Sequence, residues 1–314
     1  YNYDGQSYVN EDLSTGGIVG GVQSSCTFSG ITLTDLEIYG AYTVGGLIGK
    51  STNDINISNV KSENSGVYVY GGFETGGLVG NSQKGSEFAV KDSKIKINKV
   101  EFANLDKGTK TWFGVGGIAG SANIKTTISN VQLTAYNGDS FIGSKKDNKP
   151  LATQTMNEGG LIGLSNGACT ITNTSVSVDV YGSNAGGFVG INKNLLSIND
   201  CYYGGTSETS ACGVYGYTSS GGMVGTQNAA VTISKSAVKN ATIGIPAAKN
   251  GDAGIGGYVG IKANGDLKIS DSEVNNVTLS AEDKSNGAGA GGVIGHNDRG
   301  STYAYDVLIN KLGY

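Results

Sequence analysis

The chain has 314 residues, 53 of them glycine and only two proline, but no strict Gly-x-y period, so a collagen triple helix is excluded. The formal net charge is −4, the 22 basic side chains are scattered singly and Arg299 is the only arginine, which leaves no electrostatic footprint for nucleic acid. No run approaches the roughly 18 apolar residues of a membrane-spanning helix, and the apolar residues recur in alternation, against disorder.

Residues 1–15 precede the first repeat and are expected to cap one end of the molecule. They open on Tyr1-Asn2-Tyr3-Asp4 without a basic and apolar leader, as expected of a segment of a larger parent with flanking domains. The chain then spells Gly16-Gly17-Ile18-Val19-Gly20. The same word, Gly-Gly-apolar-apolar-Gly, begins again at Gly45, Gly76, Gly116, Gly159, Gly186, Gly221, Gly256 and Gly291. The intervals are 29, 31, 40, 43, 27, 35, 35 and 35 residues. An internal repeat of this length predicts a stacked array in which each unit buries its apolar face only against its neighbours.

Inside each repeat an apolar anchor follows at a nearly fixed count. Twelve residues after the first glycine stand Phe28, Ile57, Ile128, Ile171, Ile198 and Ile233, while Ile269 needs thirteen and Val90 fourteen. Two residues before the anchors are Cys26, Ile55, Phe88, Thr126, Cys169, Leu196, Val231 and Leu267. Five after them are Leu33, Ser62, Ile95, Leu133, Val176, Tyr203, Val238 and Val274. The step of two describes a strand with one buried face. The odd step requires a corner, since unbroken alternation would turn the last column outward. Ser58-Asn59, Thr172-Asn173 and Ser270-Asp271 supply turn residues there.

Each repeat thus reads as three short strands: the glycine word, the anchor strand and the strand after the corner. The predicted fold is all-β, a single-stranded right-handed parallel β-helix (β-solenoid) of about nine coils, forming one domain over 1–314. At roughly 4.8 Å per coil the stack would be about 43 Å long. The paired glycines fit a coil edge that needs positive φ or close neighbours above and below. A propeller blade is too long for the 27-residue unit and a leucine-rich repeat too short for the 43-residue one. A β-sandwich remains open but leaves the twelve-residue count unexplained.

Length varies between the anchor and the next word, from 15 residues (Ile171 to Gly186) to 31 (Ile128 to Gly159). The longest stretch includes Ser144 to Glu158 and is expected to protrude as a loop. The variable stretches carry aromatics suited to flat contact with sugars or peptides. Tyr42, Tyr70, Trp112, Phe113, Tyr215 and Tyr217 are the candidate ligand-binding residues. Their alternative role is to cover the coil edge or to fill strand columns, as Tyr203 does.

The glycine word, in its Leu, Ile, Phe, Met, Tyr and Val variants, resembles the GLUG motif of repetitive regions in bacterial surface and secreted proteins, including adhesin-like and immunoglobulin A protease-associated polypeptides. The resemblance implies a non-enzymatic, extracellular or cell-surface β-helical module with an adhesive, ligand-binding or stalk role. Its partners would be host or bacterial glycans or surface proteins, with no membrane insertion by this segment. A carbohydrate-active β-helical enzyme and a non-catalytic region of a larger secreted metalloprotease are the alternatives. The His-Glu-x-x-His zinc signature of metallopeptidase relatives is absent, and His296 is the only histidine.

No catalytic residue, metal ligand or cofactor site is therefore expected. His296, Asp298 and Arg299 cluster after the last word but read as a solvated turn, and calcium-binding nonapeptides are missing. Residues 296–314 depart from the repeat and are expected to cap the second end. Of the four cysteines, Cys26 and Cys169 lie four coils apart, about 19 Å on the strand spacing, too far to bond. Cys201 and Cys212 share a coil and form the one plausible pair, but four free, buried thiols are the expected state.

Overall fold

The computed structural model describes residues 13–102, 113–150, 156–207, 211–246, 253–281 and 289–314. Among them there is no helix, and every strand pairing is parallel except one small hairpin. Strands pair with their equivalents in the next repeat, so the molecule is all-β and β-helix-like. A nine-stranded sheet carries the second half of every glycine word, in chain order from Val19–Val22 to Ile294–Asn297. The nine words stand in one file.

The three side-chain columns are the register of the sheet. Cys26 pairs with Ile55, Ile55 with Phe88, Phe88 with Thr126 and Thr126 with Cys169, continuing through Leu196, Val231 and Leu267 to Thr302. The anchors follow two residues on, and most are fully buried. Val90 and Ile269 keep register despite their longer counts, because the extra residues sit in the turn before the strand.

The corner is where the odd step requires it. One file runs Gly30, Asn59, Asp92, Asn130, Asn173, Asp200, Lys235, Asp271 and Asp306, with φ between 45° and 69° throughout. Asn and Asp tolerate this left-handed conformation, and their short side chains bond locally. Asn130 Nδ2 donates to Asp92 Oδ1 at 2.7 Å, linking successive repeats. The next residue turns inward, and its hydroxyl returns to the corner. Ser93, Thr174, Ser236 and Ser272 each donate to the carbonyl two residues back. Cys201 occupies the same column, and its thiol lies 3.2 Å from the Asn199 carbonyl.

The glycine word is not itself a strand. Its first glycine ends a short strand, the next two residues bend, and the fourth and fifth begin another, as in Thr43–Gly45 and Ile48–Ser51. Where the corner interrupts pairing, as between Ile55–Ser58 and Lys61–Gly71, a repeat has four strands rather than three; in Phe88–Phe102 and Leu267–Ala281 the strand runs on through the corner. None of the word's glycines has positive φ; close approach is what demands them. A Cβ on the first would strike the carbonyl of the word's fourth residue, and one on the second would strike the second glycine's carbonyl in the next repeat. At the fifth, the two sheets meet backbone to backbone: a Cβ on Gly190 would lie 2.6 Å from Glu158 N. The third and fourth residues, from Leu47-Ile48 to Tyr258-Val259, go into the core.

Of the expected N-terminal cap, residues 1–12 lie outside the described residues. Ser14–Gly16 is a regular strand paired with Thr43–Gly45. In the other expected cap, Thr302–Gly313 pairs in register with Leu267–Ala281 and adds a strand to the ladder. All four cysteines are free, but only Cys169 and Cys201 are buried; Cys26 and Cys212 are half-buried.

Candidate functional site

One outward row collects four tyrosines, of which Tyr39 is exposed, Tyr70 and Tyr215 half-buried and Tyr181 buried. In register, Tyr39 pairs with Tyr70, Tyr70 with Glu101, Glu101 with Gly143, Gly143 with Tyr181, Tyr181 with Tyr215, Tyr215 with Gly244 and Gly244 with Ser280. The neighbouring row runs Glu37, Tyr68, Lys99, Phe141 and Asp179. Alternation along each strand puts both rows on the solvent side of a buried column that includes Val69, Val100, Ile142, Val180 and Val214.

The rows divide into two clusters. Near the N-terminal end the Tyr39 ring meets Tyr68 edge-on at 5.4 Å and Tyr70 at 6.1 Å. Burial, then the Glu101 carboxylate, pushes the Tyr68 hydroxyl up to about 12. Farther along, Phe141 meets Tyr181 edge-on at 6.0 Å, and Tyr181 stacks on Tyr215 at 4.8 Å with planes 22° apart. Lys145 Nζ lies 4.5 Å from the Phe141 centroid and 4.9 Å from that of Tyr181, a cation held on two rings.

A hairpin shapes this second cluster into a groove. Lys145–Lys146 pairs antiparallel with Lys149–Pro150 across Asp147 and Asn148, whose φ values of 52° and 57° belong to a tight two-residue turn. It is the protrusion expected from the longest variable stretch. Between it and the sheet lies a groove of about 490 Å³, lined by Tyr181, Tyr215, Gly244, Pro246 and Ser280 among others. The tyrosine ladder stops at Tyr215 because the next two residues in its row are glycine and serine. A Cβ on Gly244 would lie 3.5 Å from Tyr215 Cδ1 and, more closely, 3.2 Å from Ser280 O, so only the absence of a side chain there leaves the face of the Tyr215 ring uncovered.

Asp179 fixes the groove's floor. Its Oδ1 accepts from Gly213 N at 2.8 Å and its Oδ2 faces the Tyr181 hydroxyl at 3.4 Å. Burial raises its carboxyl above the ordinary range, against the opposing pull of Gly213 N–H and Lys145. Directly inside lies Glu158, fully buried, where the equivalent strands carry Val115 and Ala185. Its side chain fills the space left by Gly143 and Gly182, which flank Tyr181 in the fold. Oε2 accepts from Ser183 N at 3.1 Å while Oε1 has no hydrogen-bond partner, and burial holds the acid well above its usual pKa.

The six candidate residues are distributed unevenly over this picture. Tyr215 is the half-buried end of the stack, and Tyr70 lies on the same row in the other cluster. Tyr42 belongs elsewhere: its ring packs on Phe73 at 4.3 Å, beside the short strand that enters the glycine word. Phe113 begins the strand Phe113–Gly116 in register with Met156, and Trp112 lies outside the described residues. Tyr217 is half-buried where two residues face one and the register with Asp179–Gly186 shifts, a bulge beyond the groove. Tyr181 and Phe141 complete the site, though type and loop position alone did not separate them from the other aromatics.

The terminal cluster comes together only in part. His296 Nε2 and Asp298 Oδ1 are 2.6 Å apart, whereas Arg299 contributes its backbone carbonyl to the Lys262 ammonium. Among the described residues no three His, Cys, Asp or Glu side chains converge as a metal site would need.

A family model described as the GLUG motif matches residues 40–67, which hold the second glycine word and its anchor strand. No curated protein and no solved structure matches the chain.

Proposed function

We propose that this GLUG-motif chain is a non-enzymatic, extracellular module, a right-handed single-stranded parallel β-helix of nine coils in one domain, that binds glycan in the tyrosine groove. It serves as an adhesive element of a larger surface protein. The interrupted ladder carries the reading. A pyranose ring laid over Gly244 and Ser280 continues the stack on Tyr215, presenting its C–H face to the ring. Asp147, Asn148 and Lys149 on the hairpin lie along the opposite wall, where sugar hydroxyls need donors and acceptors. Cations and carboxylates are interspersed around the groove, which suits a neutral sugar better than a polyanion.

A glycan array followed by titration calorimetry tests this. Tyr215→Ala should weaken binding about tenfold, the upper range for one stacked ring. Gly244→Tyr should abolish it by filling the slot, with circular dichroism checking that the strand accommodates the close Ser280 carbonyl. Binding to glycans that survives Gly244→Tyr unchanged would put the ligand elsewhere, and capture only of surface proteins would replace the sugar with a peptide ligand. Release of oligosaccharide products would show an enzyme instead.

A further inference from the structure

The side chains of one column tie each repeat to a turn of the next. Asn192, Gln227, Lys262 and Asn297 stand in register on successive strands of the nine-stranded sheet. Asn192 Nδ2 donates to the Ala229 carbonyl at 3.4 Å. Gln227 Nε2 donates to the carbonyls of Gly265 at 3.3 Å and Asp266 at 3.0 Å. Lys262 performs the same task, donating to the carbonyls of Arg299 and, at 2.7 Å, Gly300. An amide suffices for such a tie, yet a fully buried lysine stands at this position, where burying a charge is costly.

The third contact of the ammonium sets it apart. Lys262 Nζ lies 3.1 Å from Asn297 Oδ1, in the side-chain amide of the column's next member. A lysine that gives up one proton keeps two hydrogens and gains a lone pair. The Arg299 and Gly300 carbonyls accept the two hydrogens, which leaves the lone pair facing the Asn297 amide. Two backbone groups thus aim the nitrogen at the amide, the kind of orientation that makes an intramolecular acyl transfer fast. Burial holds the amine below its ordinary pKa, against the opposing charge of Asp266, and so favours the neutral nucleophile. Asp266 Oδ1 accepts from Ser301 N at 2.9 Å, which keeps this carboxylate beside the turn that holds Lys262.

We propose that Lys262 and Asn297 join in an intramolecular isopeptide bond that the folded chain makes by itself. Lys262 Nζ attacks Asn297 Cγ, the new C–N bond replaces the Cγ–Nδ2 bond, and Nδ2 leaves as ammonia. Asp266 carries the proton of the lysine ammonium to the departing nitrogen, so the products are one amide and one ammonium ion. No electrons are exchanged, and each chain reacts once. The link joins residues 35 apart and fastens two successive repeats covalently. It uses none of the groove's residues and stands whether or not the groove binds sugar.

Intact-mass spectrometry of the whole chain, with fragmentation of its tryptic digest, tests this. The expected mass is that of the sequence less one ammonia, and one digest fragment should join the Lys262 and Asn297 peptides. Both signs should vanish in Asn297→Ala, whose truncated side chain is exposed, with circular dichroism confirming the fold. In Asn297→Asp the same link should form with loss of water in place of ammonia. Asp266→Asn should slow the reaction about a hundredfold, timed by mass after refolding. The full sequence mass in folded protein overturns the proposal. So does an ammonia deficit that persists in Asn297→Ala, which a succinimide at an Asn-Gly pair such as Asn137-Gly138 would give without any cross-link.

Discussion

At Gly117 an added Cβ would run into the Gly160 carbonyl and the Leu133 side chain, whereas at Gly138 it would meet nothing within 4 Å. Gly117→Ala is expected to cost more than about 3 kcal/mol, and Gly138→Ala less than about 0.5 kcal/mol, in denaturant titrations. Equal effects would mean that the word's glycines are not pressed between repeats. Glu158 offers a second test at this scale. Its folded pKa is raised above 4.5, first by burial, so its neutral form is the one the fold accommodates. The stability it supports is complete below the ordinary glutamate value and is lost as pH rises through the raised folded value. Glu158→Gln should therefore raise Tm more at pH 9 than at pH 4. Glu74, Glu101 and Asp179 are raised by burial too, so the variant keeps a shallower decline. Asp35 and Asp54 have the opposite sign, being lowered by hydrogen bonds from Ser65 and Ser86, and they lose stability as pH falls. An identical Tm gain at both pH values would show that Glu158 does not titrate with folding.

The corner is the element most open to improvement. Eight of its nine residues are Gly, Asn or Asp, but Lys235 holds φ 49° with a long side chain. Lys235→Asn is expected to add about 0.5–1 kcal/mol, since Asn bears left-handed backbone at lower cost. Asn173→Val should lose about 1–2 kcal/mol at the matching position. Thermal unfolding decides both, and a stabilising Asn173→Val would contradict the assigned backbone. This element was legible because two constraints met there: an odd step between apolar columns and a recurrent Asn or Asp. The anchor strands were legible for the same kind of reason, since a count of about twelve fixes which residues share a face. The glycine word was legible as a recurrence but not as a bend, because steric crowding between repeats is a property of the stack. The groove was least legible. Phe141, Tyr181 and Tyr215 are 40 and 34 residues apart in stretches of unequal length, so no count aligns them. Tyr42 and Tyr217 resemble Tyr215 in type and loop position, and only register separates them. The opening beside Tyr215 depends on Gly244 and Ser280, which carry no sequence signal of their own.

For the whole molecule, the central claim is that successive repeats lie directly above one another, each in the register of the last. Exposed positions in one column supply a ruler: Asn56, Thr170, Thr232 and Lys268 share a row, each standing immediately before its anchor. Spin labels would be placed pairwise at these sites in a variant whose four cysteines are serine, and their separations read by pulsed electron resonance. Asn56 to Thr170 spans three repeats, to Thr232 five and to Lys268 six. The expected backbone separations are about 14, 24 and 29 Å, growing linearly with repeat number at about 4.8 Å each and indifferent to the residues between. Separations that fail to grow in this order, or that shrink from Thr232 to Lys268 as a ring closing on itself would require, contradict the stacked file.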